Sequence, residues 1–417
     1  MSDRKSIRLD QLGSVARGKS RHRPRNDPAL YGGQWPFFQT GDVKAAELYL
    51  RKFAQTYSDF GLAQSKLWPA GTLCITIAAN IADTAILGIP GCFPDSVVGF
   101  IADPAKADTR FIKYYIDTIK QGMQNASRGT TQDNLSVDKL LTFDFLVPPA
   151  IQQSRIAAIL SAYDDLIENN TRRIAILEDM ARRIYEEWFV RFRFPGHEHP
   201  RMVGSPLGPV PEGWKVRALG DLADDVRDGV SPDAVVPETP YVGLEHLPRR
   251  SIALTEWGQA ADISSTKLRF REGDILFGKI RPYFHKVAVA PVAGVASSDA
   301  IVIRTKNEQD FGLTLAVVSS DAFVAHATQT SNGTKMPRAN WGVLREYPVL
   351  IPPRALQAQF DGFVVSVVLA VANHVRRNHN LRTTRDLLLP KLISGELDVS
   401  DLPEPQAVAA RARRAAS

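Results

Sequence analysis

Two stretches of this chain spell out the same frame. Asn125–Pro149 reads NASRGTTQDNLSVDKLLTFDFLVPP, and Gln329–Pro353 reads QTSNGTKMPRANWGVLREYPVLIPP. A shift of 204 residues (127 to 331) lays Ser127-Arg128-Gly129-Thr130 on Ser331-Asn332-Gly333-Thr334, and Val147-Pro148-Pro149 on Ile351-Pro352-Pro353. Upstream, Trp68-Pro69-Ala70-Gly71-Thr72-Leu73 matches Phe270-Arg271-Glu272-Gly273-Asp274-Ile275, each opening a short apolar, β-type run. Asp95 with Val97 and Val98 matches Asp299 with Ile301 and Val302, and Leu9 to Leu12 resembles Leu219 to Leu222. Chance can give any one of these pairs. Their common order and near-constant offset require duplication, so the chain must fold as two copies of one unit.

Each copy divides again. Its first part mixes β-branched runs, turn residues and one helical stretch (110–123 and 313–327), the pattern of a compact α+β domain. A long helix follows each Pro-Pro pair. The reading is therefore α+β: two similar domains separated by two long antiparallel coiled-coil helices, related by a pseudo-two-fold internal repeat. The first domain spans 1–150 and its helix 151–194. A linker over 195–213, PGHEHPRMVGSPLGPVPEG, carries enough Pro and Gly to break any regular element. The second domain, opening near Trp214, spans 214–354 and its helix 355–395. An Ala- and Arg-rich tail over 396–417 reads as loosely ordered.

The helices carry a seam. Ile156, Leu160, Tyr163, Ile167, Asn170, Ile174, Leu177, Ala181, Ile184 and Trp188 advance in steps of four and three, the heptad pattern of a coiled coil. The second copy gives Phe360, Val364, Val367, Val371, His374, Asn378, Leu381, Arg385, Leu388 and Leu392. Asn170 and His374 hold the same place in the two runs, where one polar residue costs stability but can fix register. About 38 residues at about 1.5 Å each make a rod of roughly 57 Å. A small domain cannot cover such a rod, so the helices are expected to pair with each other. A pair of that length can act as a ruler.

Composition narrows the class. A net charge of +6 suits nucleic acid or another anionic surface, and two cysteines, Cys74 and Cys92, do not make a disulfide framework. A polar N-terminus and no apolar run near membrane length point to a cytoplasmic protein without a membrane partner. Gly13–Ser20, GSVARGKS, fits the phosphate-loop pattern letter for letter. SIRLDQL before it is too polar for a buried strand, and Pro24 and Pro28 after it bar a helix. Lys19, Arg21, His22, Arg23 and Arg25 read instead as a basic loop. His197 and His199 lack metal-ligand partners at suitable spacing. No catalytic constellation emerges, and no metal or cofactor is expected in this chain.

Residues across nearly the whole chain, from about Leu9 to Leu397, resemble the specificity subunit of type I restriction–modification systems. The most specific pieces are RRIYEEWFVRF (Arg182–Phe192), LLLPKLISGELD (Leu387–Asp398) and LGPVPEGWKVRALGDL (Leu207–Leu222). The first copy lacks the Trp that opens the second, and the glutamate often following the Pro-Pro motif is absent. The resemblance implies a non-catalytic subunit whose two domains each read half of a bipartite double-stranded DNA target across a gap set by the helices. It also implies two methylation subunits carrying S-adenosylmethionine, and two restriction and translocation subunits using ATP and Mg.

Such domains need cations for phosphates and polar side chains for base edges. The candidates in the first domain are Lys19, Arg21, Arg23 and Arg25, with Arg128, Thr130 and Gln132. In the second they are Lys279, Arg281, Tyr283, His285, Asn332, Thr334, Lys335 and Arg338. For Tyr283 the competing expectation is core packing. Two other functions fit a duplicated, helix-linked chain: a helical-hairpin adaptor that binds protein, and a self-contained nuclease or nucleotide hydrolase.

Overall fold

The computed structural model describes residues 4–127, 135–196, 198 and 200–403. The chain divides into two compact units, Met1–Glu168 with Leu381–Ser417, and Asn169–Asn380. In the first unit the strands are β1 (Lys5–Arg8), β2 (Gly13–Arg17), β3 (Tyr49–Leu50), β4 (Leu73–Thr76), β5 (Thr84–Leu87), β6 (Val97–Ala102) and β7 (Asp144–Val147). A separate two-stranded antiparallel sheet of Tyr31–Phe37 and Gln55–Tyr57 lies outside this set. The main sheet runs β2-β6-β4-β5-β3, antiparallel except for the last pair, while β1 pairs with β7. All four residues of β4 are buried, as a central strand covered on both faces requires. One face packs on helix α1 (Thr109–Ser127) through Phe111, Ile112, Ile116 and Met123; the other packs on Phe38, Trp68 and Phe93.

The second unit repeats the frame with β8 (Lys215–Ala218), β9 (Ala223–Asp225), β10 (Ile275–Gly278), β11 (Val287–Val289), β12 (Ala300–Thr305) and β13 (Pro348–Ile351). Its sheet order is β9-β12-β10-β11, with β8 on β13, matching β2-β6-β4-β5 and β1-β7 strand for strand. A second sheet of five short strands, from Gly229–Val230 to Gly294–Ala296, is added in this unit. The glycine match has a geometric cause. Gly71 (φ 85°) and Gly273 (φ 88°) take positive φ in turns closed by Thr72 N–H to Pro69 O at 3.3 Å and Asp274 N–H to Arg271 O at 3.1 Å.

Helix α2 (Ala150–Tyr185) and the last helix, Arg354–Ser394, both start immediately after Pro-Pro, where a missing N–H costs little. A buried glutamine anchors each start. Gln153 Nε2 donates to Lys106 O and Pro148 O, both at 2.9 Å, and Gln357 Nε2 donates to Asp310 Oδ1 at 2.6 Å. Within the first unit Ile156, Ala157 and Leu160 share a core with Leu392 and Ile393. Within the second, Ile174 packs with Val367, Val371 and Val375, and Phe189 meets Phe360 at 4.7 Å. In each unit, residue numbers rise along one helix as they fall along its neighbour. The pairing is antiparallel.

Several expectations need correction. The second helical stretch is two helices, α3 (Phe311–Val318) and α4 (Asp321–Gln329), because Ser320 caps the latter by accepting from Phe323 N at 3.2 Å. With these named, Arg354–Ser394 is α5. The linker does contain regular structure, a hairpin of Met202–Ser205 and Gly208–Pro211 turning at Gly208 (φ 93°). Helix α2 gives way to a π-helical turn over Glu186–Val190, so Trp188 lies beyond the regular seam, against Phe360. At the seam Tyr163 is only half-buried and Asp164 takes the interior, while Val375 joins His374 on α5. The tail begins ordered: Val399 is buried and Gln152 Nε2 donates to Ser400 Oγ at 3.0 Å. By length and composition α5 does contain an 18-residue window apolar enough to cross a membrane. Its Val364, Val367, Val371 and Val375 are instead buried in protein cores.

Candidate nucleic-acid interface

In the first unit the basic loop leaves β2 at Gly18, which lies against the chain so closely that a Cβ would meet Pro94 O at 2.3 Å. GSVARGKS is thus the strand β2 and a packed turn, with no helix start to meet a phosphate, and the nucleotide-loop reading fails on geometry. Lys19, Arg21, Arg23 and Arg25 are all exposed. The backbone beneath them is fixed: Arg21 N–H donates to Gln64 O at 3.1 Å, and Ser65 Oγ donates to Lys19 O at 2.8 Å. Arg25 Nη2 reaches both carboxylate oxygens of Asp95, at 2.9 and 3.0 Å. The loop therefore presents cations from a rigid base, which is what phosphate contacts need to set register. Arg128, Thr130 and Gln132 lie outside the described residues, as do His197 and His199.

The second unit gathers its candidates around a cleft of about 410 Å³ whose lining includes Lys279, Asn332 and Arg338. Three loops make it. Ala339 N–H donates to Lys279 O at 2.8 Å and Lys279 N–H donates to Asp299 O at 3.0 Å. Asn332 and Arg338 exchange backbone hydrogen bonds of 3.1 and 2.9 Å, closing a tight loop whose turn needs Gly333 at φ 96°. Thr334 and Lys335 ride exposed on that loop. Arg338 lies 4.0 Å from Asp299, as Arg25 lies against Asp95, so the paired aspartates of the repeat each hold an arginine of a candidate loop.

Burial separates two of the candidates. His285 is buried and its Nε2 lies 2.8 Å from Ser319 O, so it holds the loop from inside and cannot face DNA. Tyr283 is 51% exposed at the loop tip rather than packed in the core. Arg281, next to it, sits at φ 50° and donates its N–H to Pro337 O at 2.7 Å.

Sequence reasoning missed Arg227 and Asn340, which line the same cleft. Arg227 lies two residues beyond β9, at the position matching Arg17, the last residue of β2, and Arg17 donates to Asp95 O. The Leu9 and Leu219 match, carried forward a few residues, would have found that pair.

The helix pair carries its own polar sites. In the second unit Asn170 Nδ2 donates to Asn378 Oδ1 at 2.9 Å, and Asn170 Oδ1 lies 3.1 Å from His374 Nδ1. Burial, with Arg173 and Arg377 nearby, holds the His374 pKa below its ordinary value. In the first unit Asp164 receives Arg385 and the Tyr114 hydroxyl. Burial and the adjoining Asp164 push the Tyr114 hydroxyl pKa far up, so it stays a donor.

Comparison with known proteins places the chain. The family model for the type I restriction modification DNA specificity domain matches residues 1–179 and 211–360. The chain is similar to the type I restriction enzyme MjaIX specificity subunit of Methanocaldococcus jannaschii, 23% identical over 410 residues, covering 95% of this chain and 94% of that one. It is likewise 23% identical over 425 residues to the EcoDI specificity subunit of Escherichia coli, covering 95% and 89%. Among solved structures it is similar to the type I restriction–modification S subunit from M. genitalium, with a TM-score of 0.57, 15% identity and coverage of 94% and 96%.

Proposed function

Because this chain belongs to the type I restriction–modification DNA specificity family, we propose that it is the sequence-reading, non-catalytic subunit of such a complex. Each unit takes one half of a bipartite duplex target, and the paired helices set the unread gap. The observation that carries this reading is a repeated frame holding Lys and Arg on pinned loops: exposed Lys19, Arg21, Arg23 and Arg25 in one unit, and half-buried Lys279 and Arg281 with exposed Arg338 in the other. Cations of this kind release counterions on binding phosphate, and their fixed backbones aim neighbouring side chains at base edges. The partners are duplex DNA, two methylation subunits bringing S-adenosylmethionine, and two restriction and translocation subunits using ATP and Mg. The complex works in the cytoplasm.

The test is adenine-methylation mapping of DNA from cells carrying this chain with its methylation subunit. A bipartite motif with one fixed gap, lost when the chain is deleted, is the expected result. An active methylation complex that marks no such motif would overturn the reading in favour of a protein-binding adaptor. The ruler has a sharper test. Ile174–Met180 faces about Ser366–Ala372 in the antiparallel pair, since Asn170 meets both His374 and Asn378. Deleting those two facing heptads removes about 10 Å of helix and should shorten the mapped gap by about three base pairs. Half-sites that change with the gap would contradict the division of labour.

A further inference from the structure

One loop joins β4 to β5 in the first unit (77–83), and its counterpart joins β10 to β11 in the second (279–286). Both contain two non-glycine residues at positive φ: Ala79 (64°) and Ala82 (61°) in one, Arg281 (50°) and His285 (52°) in the other. Such backbone is costly and persists only where its surroundings over-determine it. In the first unit the loop turns inward, with Ile77 at 2%, Ile81 at 8% and Ala82 at 0% exposure. In the second the same device turns outward. A 3-10 turn over Pro282–Phe284 lifts Tyr283 into solvent.

The lifted turn is braced from three sides. His285 Nε2 meets Ser319 O at 2.8 Å, Arg281 N–H donates to Pro337 O at 2.7 Å, and the Arg249 guanidinium lies 4.1 Å over the Phe284 ring. Phe284 in turn meets the Tyr283 ring edge-on at 4.9 Å. Arg281 Nε is buried without a hydrogen-bond partner. The frame does not need an aromatic residue here, because the sister loop fills its place with buried aliphatics. A braced ring held out beside Lys279 and Arg281 is suited to something that arrives from outside with phosphates and flat faces.

We propose that Tyr283 is a wedge, whose ring enters and partly unstacks one base step of the duplex bound to the second unit. This rests on the DNA-reading function proposed above. Base faces in a duplex are hidden by stacking, so a side chain reaches them only by opening a step. Opening is easiest at flexible pyrimidine–purine steps. Tyr283 therefore adds a preference for TA or CA/TG at its step without a hydrogen bond to any base edge, and bends the duplex there.

The experiment uses the full chain with its methylation subunits and duplexes of the methylation-mapped target. 2-Aminopurine replaces each base of both half-sites in turn. Apart from the adenines that the methylation subunits extrude for their chemistry, the wild-type complex should give a several-fold fluorescence rise at one step only. Tyr283→Phe should keep the rise; Tyr283→Ala should lose it and bind roughly ten- to a hundredfold more weakly, with its salt dependence unchanged. Tyr283 is exposed, so the alanine variant should fold, as circular dichroism would check. Target binding without a rise at any position other than those adenines overturns the wedge alone. Equal weakening by Phe and Ala assigns the effect to the hydroxyl and also overturns it. A complex without salt-dependent affinity for any duplex overturns the DNA-reading function itself.

Discussion

The two units share a sheet and differ in where they place charge. Between β2 and β4 the first unit carries Lys19, Arg21, Arg23 and Arg25, while the corresponding stretch after Arg227 reads DGVSPDA. Between the next two strands the roles reverse: IAANIAD in the first, KIRPYFHK in the second. A third difference lies beside the helices. The first unit buries the Asp164, Arg385 and Tyr114 cluster, whose repeat-related positions are Val368, Ala181 and Val318. The sheet tolerates all three exchanges because the turns at Gly71 and Gly273, the buried Gln153 and Gln357, and the Asp95 and Asp299 contacts remain. Frame and reading chemistry are thus separable. One duplicated scaffold can carry two unlike readers.

The largest expected effect tests the third difference. Asp164 is buried and the Arg385 side chain is 19% exposed, so Arg385→Ala strands a charge. It should cost about 3–5 kcal/mol, seen in thermal or denaturant unfolding. Asp164→Val with Arg385→Met and Tyr114→Phe, which copies the apolar chemistry of the second unit, should cost less than that single change. If the triple variant is as unstable, the two arrangements are not interchangeable solutions.

A middle-sized effect concerns the first two differences. Replacing Lys19, Arg21 and Arg23 by alanine should flatten the salt dependence of duplex binding by about 0.9 per lost phosphate contact, with the mapped motif unchanged. Lys279→Ala with Arg338→Ala should relax one half-site and leave the other intact. Relaxed sequence choice from the first set, with no change in salt slope, would reverse the assignment.

The smallest effect belongs to the second unit alone. His374 is held below its ordinary pKa of 6.5, first by burial and then by Arg173 and Arg377. Unfolded chain then binds the proton more readily than folded chain, so stability rises with pH through this window. It should be complete above pH 6.5 and fall as pH drops below it. His374→Asn should flatten that part of the melting-temperature profile. An unchanged slope would show that other groups set it.

Much of this was legible in the sequence. The repeat, the glycine turns, the Pro-Pro helix starts and most of the seam all follow from local chemistry carried by neighbouring residues. The rest depends on distant partners. Tyr163 fits the heptad, yet Asp164 goes inside because Arg385, 221 positions away, supplies its counter-charge. His285 was a candidate for the DNA face, and nothing local marks it as buried; Ser319 O, 34 positions away, takes its ring nitrogen. The hairpin at 202–211 hid in a segment whose Pro and Gly content reads as pure breaker, although two strands of four residues flank its turn. Arg227 was findable, through the offset that separates it from Arg17.

The division of the chain into units has a consequence for its synthesis. The second unit is one uninterrupted stretch, Asn169–Asn380, whereas the first needs Leu381 onward. Arg4 donates to the carbonyls of Leu392 and Ile393, and Val399 completes the same core as Leu9. Domains usually fold in the order they leave the ribosome. Here the part made first must wait, incomplete, while the inserted unit folds behind it, and closes only when the far end of α5 arrives. A chain cut short after Asn380 would hold every residue of its second reader and a first reader missing its last helix segment. Such a truncated product would expose the core that Leu392, Ile393 and Val399 cover.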